Sequence, residues 1–505
     1  MYREILVQVA ENESKAAVLE DGQLVEIYVE RGAEQRLVGN IYKGVVKNVL
    51  PGMQAAFVDI GLEKNAFLYV EDALNNALWP GGDFYAQQQD RKAQDNKTIQ
   101  PNIRDIVKEG QELVVQITKE PIGTKGARIT TRLTLPGRYL VLMPAVDYIG
   151  VSRRIEDETE RERLKKIAEQ LKPEKMGVIV RTVAEGATEE AFRQDLQNLL
   201  KMWDRIVLRA QNTAGAVLLH KDVALVQRIL RDLFSEDIQK LSVNSRLLKE
   251  KVLEYLELSD INLTSKVFLN DTAKLMEKYA VNQEIAQALK RKAWLKNGGY
   301  LVIDETEALT AIDVNTGKFV GGTNLADTVL LTNCEAAREI ARQLRLRNIG
   351  GIIIIDFIDM DTEEHQDKVL AVLAEELKKD KVKAHILGIT ALGLVEMTRK
   401  KVRQSLGSTL EKKCPYCEGK GKILSEETVY RALKEELKEV AARTFTDTLV
   451  VEAHPQIAAL VIGSDGDNQE SLEKELGKKL IIRGKEQYHL VKYAIRPLYQ
   501  EFGFE

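Results

Sequence analysis

Apolar and polar residues alternate with a period of two along "GNIYKGVVKNVLPGMQAAFVDIGLEKNAFLYV" (39–70), broken at Pro51-Gly52 and at Gly61. Short strands punctuated this way predict a tightly wound small β-barrel. The strings "GQELVVQITKE" (110–120) and "ARITTRLTL" (127–135) supply the strands that would close it. Between the 39–70 run and these strands, "GGDFYAQQQDRKAQDNKTIQPN" (81–102) is polar and poor in apolar residues, which reads as a flexible inserted loop. The opening "MYREILVQVAENESKAAVLEDGQLVEIYVE" alternates like a strand pair. From about 136 the pattern changes: 153–171 reads as a charged helix, "VIVRTVAEG" (178–186) as a buried strand entering a Gly-containing turn, and 187–211 and 221–258 are helical by period.

Farther along, "GGYLVIDETEALTAIDVNTG" (298–317) predicts two strands joined by a polar turn. A long amphipathic helix follows in "TNLADTVLLTNCEAAREIARQLRLRNIGG", stopped by Asn348 and Gly350-Gly351. The continuous β-branched run of "GIIIIDFIDM" (351–360) reads as a fully buried central strand. Residues 425–505 give a charged helix and an α/β pattern with a "GSDG" turn before a helix. That turn faintly resembles the backbone-clamping turn of KH domains, and a plain packing or dimerisation unit is the alternative. The whole reads as a multidomain α/β chain.

At 505 residues, roughly three to five folding units are expected. Hydrophobic residues at 44% and charged residues at 30% describe an ordinary soluble protein, and no apolar run nears the roughly 18 residues needed to span a bilayer. The opening lacks the basic-then-apolar layout of a signal peptide, so a cytoplasmic location is expected. Three cysteines make no disulfide framework, and Cys414 and Cys417 have Cys-x-x-Cys spacing. Net charge is −4, yet residues 399–422 carry eight Lys and Arg against two Glu. That is either a solvated stretch or a local surface for polyanions.

Candidate chemistry centres on Asp313, with Asn315 two residues on and on the same face, and on Asp356 at the end of the β-branched run. Each Asp alone reads as a turn or cap. Two carboxylates at adjacent strand ends repel and lose solvation unless a cation lies between them, which suits Mg²⁺ or Mn²⁺ with water and a substrate phosphate completing the shell. The five histidines, 220, 365, 385, 454 and 489, show no zinc-protease spacing and no acid–base pair, and no Walker loop or serine elbow is present. Metal-assisted hydrolysis survives this elimination. Phe57, Phe67 and Lys125 are candidates to grip single-stranded nucleic acid on an OB-type barrel, with core packing as the alternative for both rings. Arg181-Thr182 puts a forked cation and a hydroxyl where a phosphate could be held. Two thiolates make half a tetrahedral zinc site, which a second chain could complete; a redox pair is the alternative. Cys334 reads as a buried core thiol.

The strings "GNIYKG", "PGMQAAFVDIG", "YLVLMP", "VSRRI", "VRT", "EALTAIDVNTG", "ARQLRLRNIGGIIIIDFIDM" and "CPYCEGKG" resemble the ribonuclease E/ribonuclease G family up to about residue 425. The resemblance implies a Mg²⁺-dependent endoribonuclease of rRNA processing and mRNA decay that cuts single-stranded RNA and is stimulated by a 5′-monophosphate. It implies an RNase H-like subdomain built from 1–36 and 224–288, with the OB-fold barrel (37–130) inserted in it. It further implies a 5′-phosphate sensor region (131–223), a DNase I-like catalytic subdomain (289–410), a zinc link (411–424) and a small C-terminal domain (425–505). By that resemblance Asp313 and Asp356 hold Mg²⁺ with Asn315 beside it, and Phe57, Phe67 and Lys125 grip RNA. Arg181 and Thr182, with Gly137 and Val141, form the phosphate pocket. Lys383 stands where the family pocket can carry a further Arg. Cys414 and Cys417 share a structural Zn²⁺ with a second chain, giving a homodimer and possibly a tetramer. A non-catalytic RNA-binding protein that retains the barrel is the alternative.

Overall fold

In the computed structural model, which describes residues 1–31, 36–73, 102–121, 125–259, 261–317 and 325–498, the opening alternation folds as three antiparallel strands. These are Arg3–Val9, Glu13–Glu20 and Gln23–Arg31. Two later strands, Lys240–Val243 and Val267–Leu269, add in parallel beside Arg3–Val9 to make a five-stranded sheet. This corrects the helical reading of 221–258: a helix ends at Asp232, the strand intervenes, and a second helix runs Arg246–Ser259. Leu241, Ser242 and Val243 are all buried, and the Ser242 hydroxyl donates to Glu4 at 2.8 Å. A strand buried on both faces has no alternation to reveal it. The helix expected at 153–171 starts later, at Glu158, where Asp157 caps it by accepting the Thr159 N–H.

The barrel runs Ile41–Leu50, Ala55–Asp59, Ala66–Tyr69, Arg128–Thr130 and Glu112–Lys119, and the last of these closes on the first. It is a closed five-stranded barrel of OB-like kind, filled by Val46, Val58, Leu68, Val115 and Ile129. Val217–His220 pairs with Ile41–Leu50 as a sixth strand that the alternation did not reveal. The polar loop expected at 81–102 lies outside the described residues except for Asn102, as do residues 122–124 of the Gly-rich turn. Leu135–Pro136 leaves the barrel and joins Leu140–Met143, Gly177–Val180 and Ile149–Val151 in a four-stranded sheet. Helices Glu158–Leu171 and Glu189–Gln211 pack on it.

A six-stranded sheet follows, ordered Lys292–Trp294, Tyr300–Glu305, Leu309–Asn315, Gly351–Asp356, Val395–Arg399, Ala384–Ile389. Helices Leu325–Leu346 and Glu363–Lys378 share one core with Leu301, Ile303, Ile312, Val314, Ile353 and Ile355. The expectation of a fully buried strand is corrected here. Ile353 and Ile355 are buried, but Ile352 is 51% exposed and Asp356 is exposed. Both helices lie on one face, so every second residue of this strand faces outward despite the unbroken apolar run.

All of this belongs to one unit, Met1–Thr409; Leu410–Glu505 is a second. In the second unit, Ser425 caps helix Glu426–Arg443, and strands Lys479–Gly484, Thr448–Ala453 and Tyr493–Pro497 form a sheet in that order. The "GSDG" turn lies between helices Pro455–Ile462 and Asp467–Leu476, with positive φ at Gly463, Asp465 and Gly466. Among the described residues no helix is long and apolar enough to cross a membrane.

Candidate active site

Strands Leu309–Asn315 and Gly351–Asp356 run parallel, and their register sets Asp313 directly beside Asp356. The inward residues of both strands are held by the helix core, so the two carboxylates are fixed on the open face. The Asn315 amide donates to Asp313 Oδ2 at 2.7 Å. Burial, together with the negative charges of Asp313 and Asp359, pushes the Asp356 carboxyl above its ordinary value. A site with this much unbalanced negative charge suits a cation. Among the described residues no group of three His, Cys, Asp or Glu converges to hold an ion unaided. Two carboxylates with several open positions fit Mg²⁺, which keeps water and takes up a substrate phosphate.

One supporting residue went unread in the sequence. Asn333, fully buried on the long helix, donates to Ile358 O at 2.8 Å and accepts from Ile358 N at 3.1 Å. It pins the turn that carries Asp359 beside Asp356. A buried Asn in a helix otherwise built on apolar spacing is the signal that could have found it.

Phe57 and Phe67 sit opposite one another on neighbouring barrel strands, edge to face with centroids 5.9 Å apart. Both are half-buried and outside the barrel's buried core. Lys125 is exposed. Its neighbourhood is fixed to the same strand: Phe67 N donates to Ala127 O at 2.7 Å, and a Cβ on Gly126 would lie 2.0 Å from Asn65 O. Two rings on neighbouring strands, with an exposed cation on the segment bonded to the strand of Phe67, are a form that suits stacked bases and a phosphate backbone.

Gly137, Arg181 and Thr182 are brought together. Arg181 donates to Gly137 O at 2.5 Å and to Asp232 at 2.6 Å, and its own N–H reaches Tyr139 O. Asp195 accepts from the backbone N–H groups of Arg138, Tyr139 and Leu140, and its carboxylate leaves no room for a Cβ at Gly137. Val141 is half-buried on the adjoining strand, opposite Ile179. Thr182 is exposed and shares a 2.8 Å hydrogen bond with Ser152. Lys383 is exposed and is not itself brought into this cluster: Arg154, which bonds Ser152 at its backbone, reaches the carbonyls of Asp380 and Lys381 on the turn that precedes Lys383. Asp232 was not anticipated: burial raises its carboxyl, but the Arg231 and Arg181 guanidiniums outweigh this and hold it below its ordinary value. Arg181 is therefore a paired cation that an incoming anion must share or capture.

In the second unit Cys414 is exposed and Cys417 half-buried. Backbone N–H groups of Cys417 and Tyr416, with the Cys417 side chain, hold the Cys414 thiol below its usual range. Gly421 N donates to Cys417 Sγ at 3.3 Å, in a turn made possible by positive φ at Glu418, Gly419 and Gly421. Amide donors aimed at sulfur stabilise thiolates, the form a metal takes. A histidine distant in sequence reaches this loop: the His489 ring lies 4.0 Å from that of Tyr416, and its Nε2 bonds Tyr416 O at 2.6 Å. That nitrogen is turned to a carbonyl, so His489 braces the loop. Cys334 is buried in the core of the six-stranded sheet, as expected.

Residues 134–402 match the Ribonuclease E/G family. The chain is 44% identical to a ribonuclease G of Salmonella typhimurium and 43% identical to one of Escherichia coli K12, in both cases over the whole of this chain and 99% of the relative. A ribonuclease E of Nostoc is 42% identical over 83% of this chain and 59% of its own length. A family match across the six-stranded sheet and full-length relatives at this identity lead to one conclusion: the chain belongs to the ribonuclease E/G family.

Proposed function

We propose that this protein is an endoribonuclease of RNA processing and decay that hydrolyses single-stranded RNA at the Asp313–Asp356 pair with Mg²⁺, leaving 5′-phosphate and 3′-hydroxyl ends. The observation that carries the reading is the side-by-side placement of the two carboxylates on the open sheet face, with Asp356 held above its ordinary value. When bound there, Mg²⁺ supplies Lewis-acid polarisation of the scissile phosphoryl group and lowers the pKa of water. Asp313 and Asp356 hold the ion and the Asn315 amide fixes the rotamer of Asp313. Asn333 keeps the Asp359 turn in place behind them. Phe57, Phe67 and Lys125 bind the RNA strand on the barrel. We read the five-stranded sheet as the RNase H-like part and the six-stranded sheet as the DNase I-like part.

Arg181 and Thr182 form the receptor for a 5′-monophosphate, with Gly137, Val141 and Lys383 around it. Such a phosphate carries about −1.5 to −2 charge and three acceptor oxygens, which suit the guanidinium fork and the hydroxyl. Cleavage of a 5′-monophosphorylated oligoribonucleotide, with Mg²⁺ and with chelator, tests the activity. It is expected to need the metal and to yield no 2′,3′-cyclic phosphate, since the five histidines, dispersed along the sequence, offer no acid–base pair to activate a 2′-hydroxyl. Arg181→Leu should slow the monophosphorylated substrate to the rate of its 5′-hydroxyl counterpart. Cyclic products would overturn the mechanism. Equal wild-type rates on both ends would overturn the sensor.

Cys414 and Cys417 are proposed to share one Zn²⁺ with the same pair of a second chain, giving a homodimer that can assemble further into a tetramer. Replacing both with Ser should convert dimer to monomer in sedimentation and lower zinc content from about one per two chains to none. A dimer that survives without zinc overturns the shared site.

A further inference from the structure

The open face of the six-stranded sheet carries more than its carboxylates. Trp294 sits opposite Tyr300, which sits opposite Asn315, while Lys292 sits opposite Val302, which sits opposite Asp313. Paired residues, and residues two apart on one strand, share a face. Lys292, Trp294, Tyr300, Asn315, Asp313 and Asp356 therefore share the sheet face opposite the helix-packed core, and Trp294, on the edge strand, also borders a groove with Leu331, Glu335 and Arg338 of the long helix. Trp294 is 61% exposed, whereas its neighbours Ala293 and Leu295 go to the core. Its ring meets Tyr300 edge to face at 5.5 Å, and the Lys292 ammonium lies 4.2 Å from the Trp294 ring centre and 3.2 Å from that of Tyr300. Packing does not account for an indole left this far in water. A cation seated on it fixes the ring and leaves positive charge beside it.

Two strand spacings and two residues separate Trp294 from Asp313, roughly 12 Å along the sheet surface. We infer that Trp294, held by Lys292 and Tyr300, is a base-stacking platform for a nucleotide flanking the scissile phosphate of single-stranded RNA. The inference rests on the endoribonuclease reading above. Every base has a π-face, so the platform tolerates any sequence, and Lys292 meets the adjoining phosphate. It is a second stacking surface, on the catalytic sheet itself and separate from the Phe57–Phe67 pair on the barrel.

The test is steady-state cleavage by the full-length chain of a 5′-monophosphorylated oligoribonucleotide, intact or with one abasic nucleotide placed in turn at each position around the cleaved bond. Trp294→Ala should lose about tenfold in kcat/KM on the intact strand, chiefly through KM, and Trp294→Phe should stay within about twofold of wild type. At one flanking position the abasic substitution should cost wild type a similar factor and cost Trp294→Ala nothing further. Wild-type kinetics in Trp294→Ala overturn the platform. So does a loss that persists undiminished with every abasic strand, because that marks a structural role. A wild-type chain that leaves the intact strand uncut overturns the endoribonuclease reading, and the platform falls with it.

Discussion

Asp313→Asn and Asp356→Asn are each expected to cut the turnover of single-stranded RNA by about a thousandfold or more while leaving RNA affinity nearly intact. Each change keeps the side chain's volume and removes one negative charge from a two-carboxylate site, which among the described residues has no third acidic, His or Cys ligand to compensate. Asp359 contributes charge to Asp356 but is not joined to the pair as a ligand set, so it cannot restore the lost oxygen. The two variants should also differ in kind. Asp313 accepts from Asn315, so Asp313→Asn keeps that bond only with its amide oxygen turned to Asn315, which points its NH2 group to the ion's side. Affinity should survive in both, because the residues proposed to hold RNA, Phe57, Phe67 and Lys125 on the barrel and Trp294 on the sheet, are left unchanged. Single-turnover cleavage and filter binding on one oligoribonucleotide separate the effects. Turnover near wild type in either variant at ordinary Mg²⁺ would end the catalytic assignment.

The Asp313–Asp356 pair was legible because two local patterns, a polar-turn hairpin and a β-branched run, each end on an acidic residue, and the strands they form are neighbours. The barrel was legible for a similar reason, since alternation and Pro-Gly punctuation are local signals. What stayed hidden depends on contacts distant in sequence. Strand Lys240–Val243 is buried on both faces and shows no alternation. Asp232 is the partner of Arg181 although 51 positions away, and His489 reaches Tyr416 across 73. The β-branched run misled in the opposite sense: its composition implied two covered faces, and only the placement of both helices on one side shows that the other face is open. That open face carries Asp313, Asp356 and Trp294, so the misreading concealed the last of these as well.

Arg399→Ala is expected to be the most destabilising single change, by about 3–5 kcal/mol. The side chains of Arg399 and Asp380 are each 3% exposed and joined at 2.7 Å. Arg399 also donates to Ile349 O at 2.7 Å, which ties the end of the long helix to the sheet. Removing the guanidinium leaves a buried carboxylate without its counter-charge and a carbonyl without its donor. The cost of a lone buried charge exceeds the net worth of the pair, so Arg399→Met combined with Asp380→Leu should recover much of the loss. Asp380 also accepts from Val382 N at 2.8 Å and its carbonyl from Arg154, which anchors the turn leading to Lys383. Any Arg399→Ala protein that remains folded should therefore discriminate less between 5′-monophosphate and 5′-hydroxyl ends, even though Arg399 itself is buried away from solvent. Denaturant midpoints of the single and double variants, read beside their 5′-end preference, test both claims. A single variant as stable as the double would show that the ion pair is not what holds this corner of the sheet.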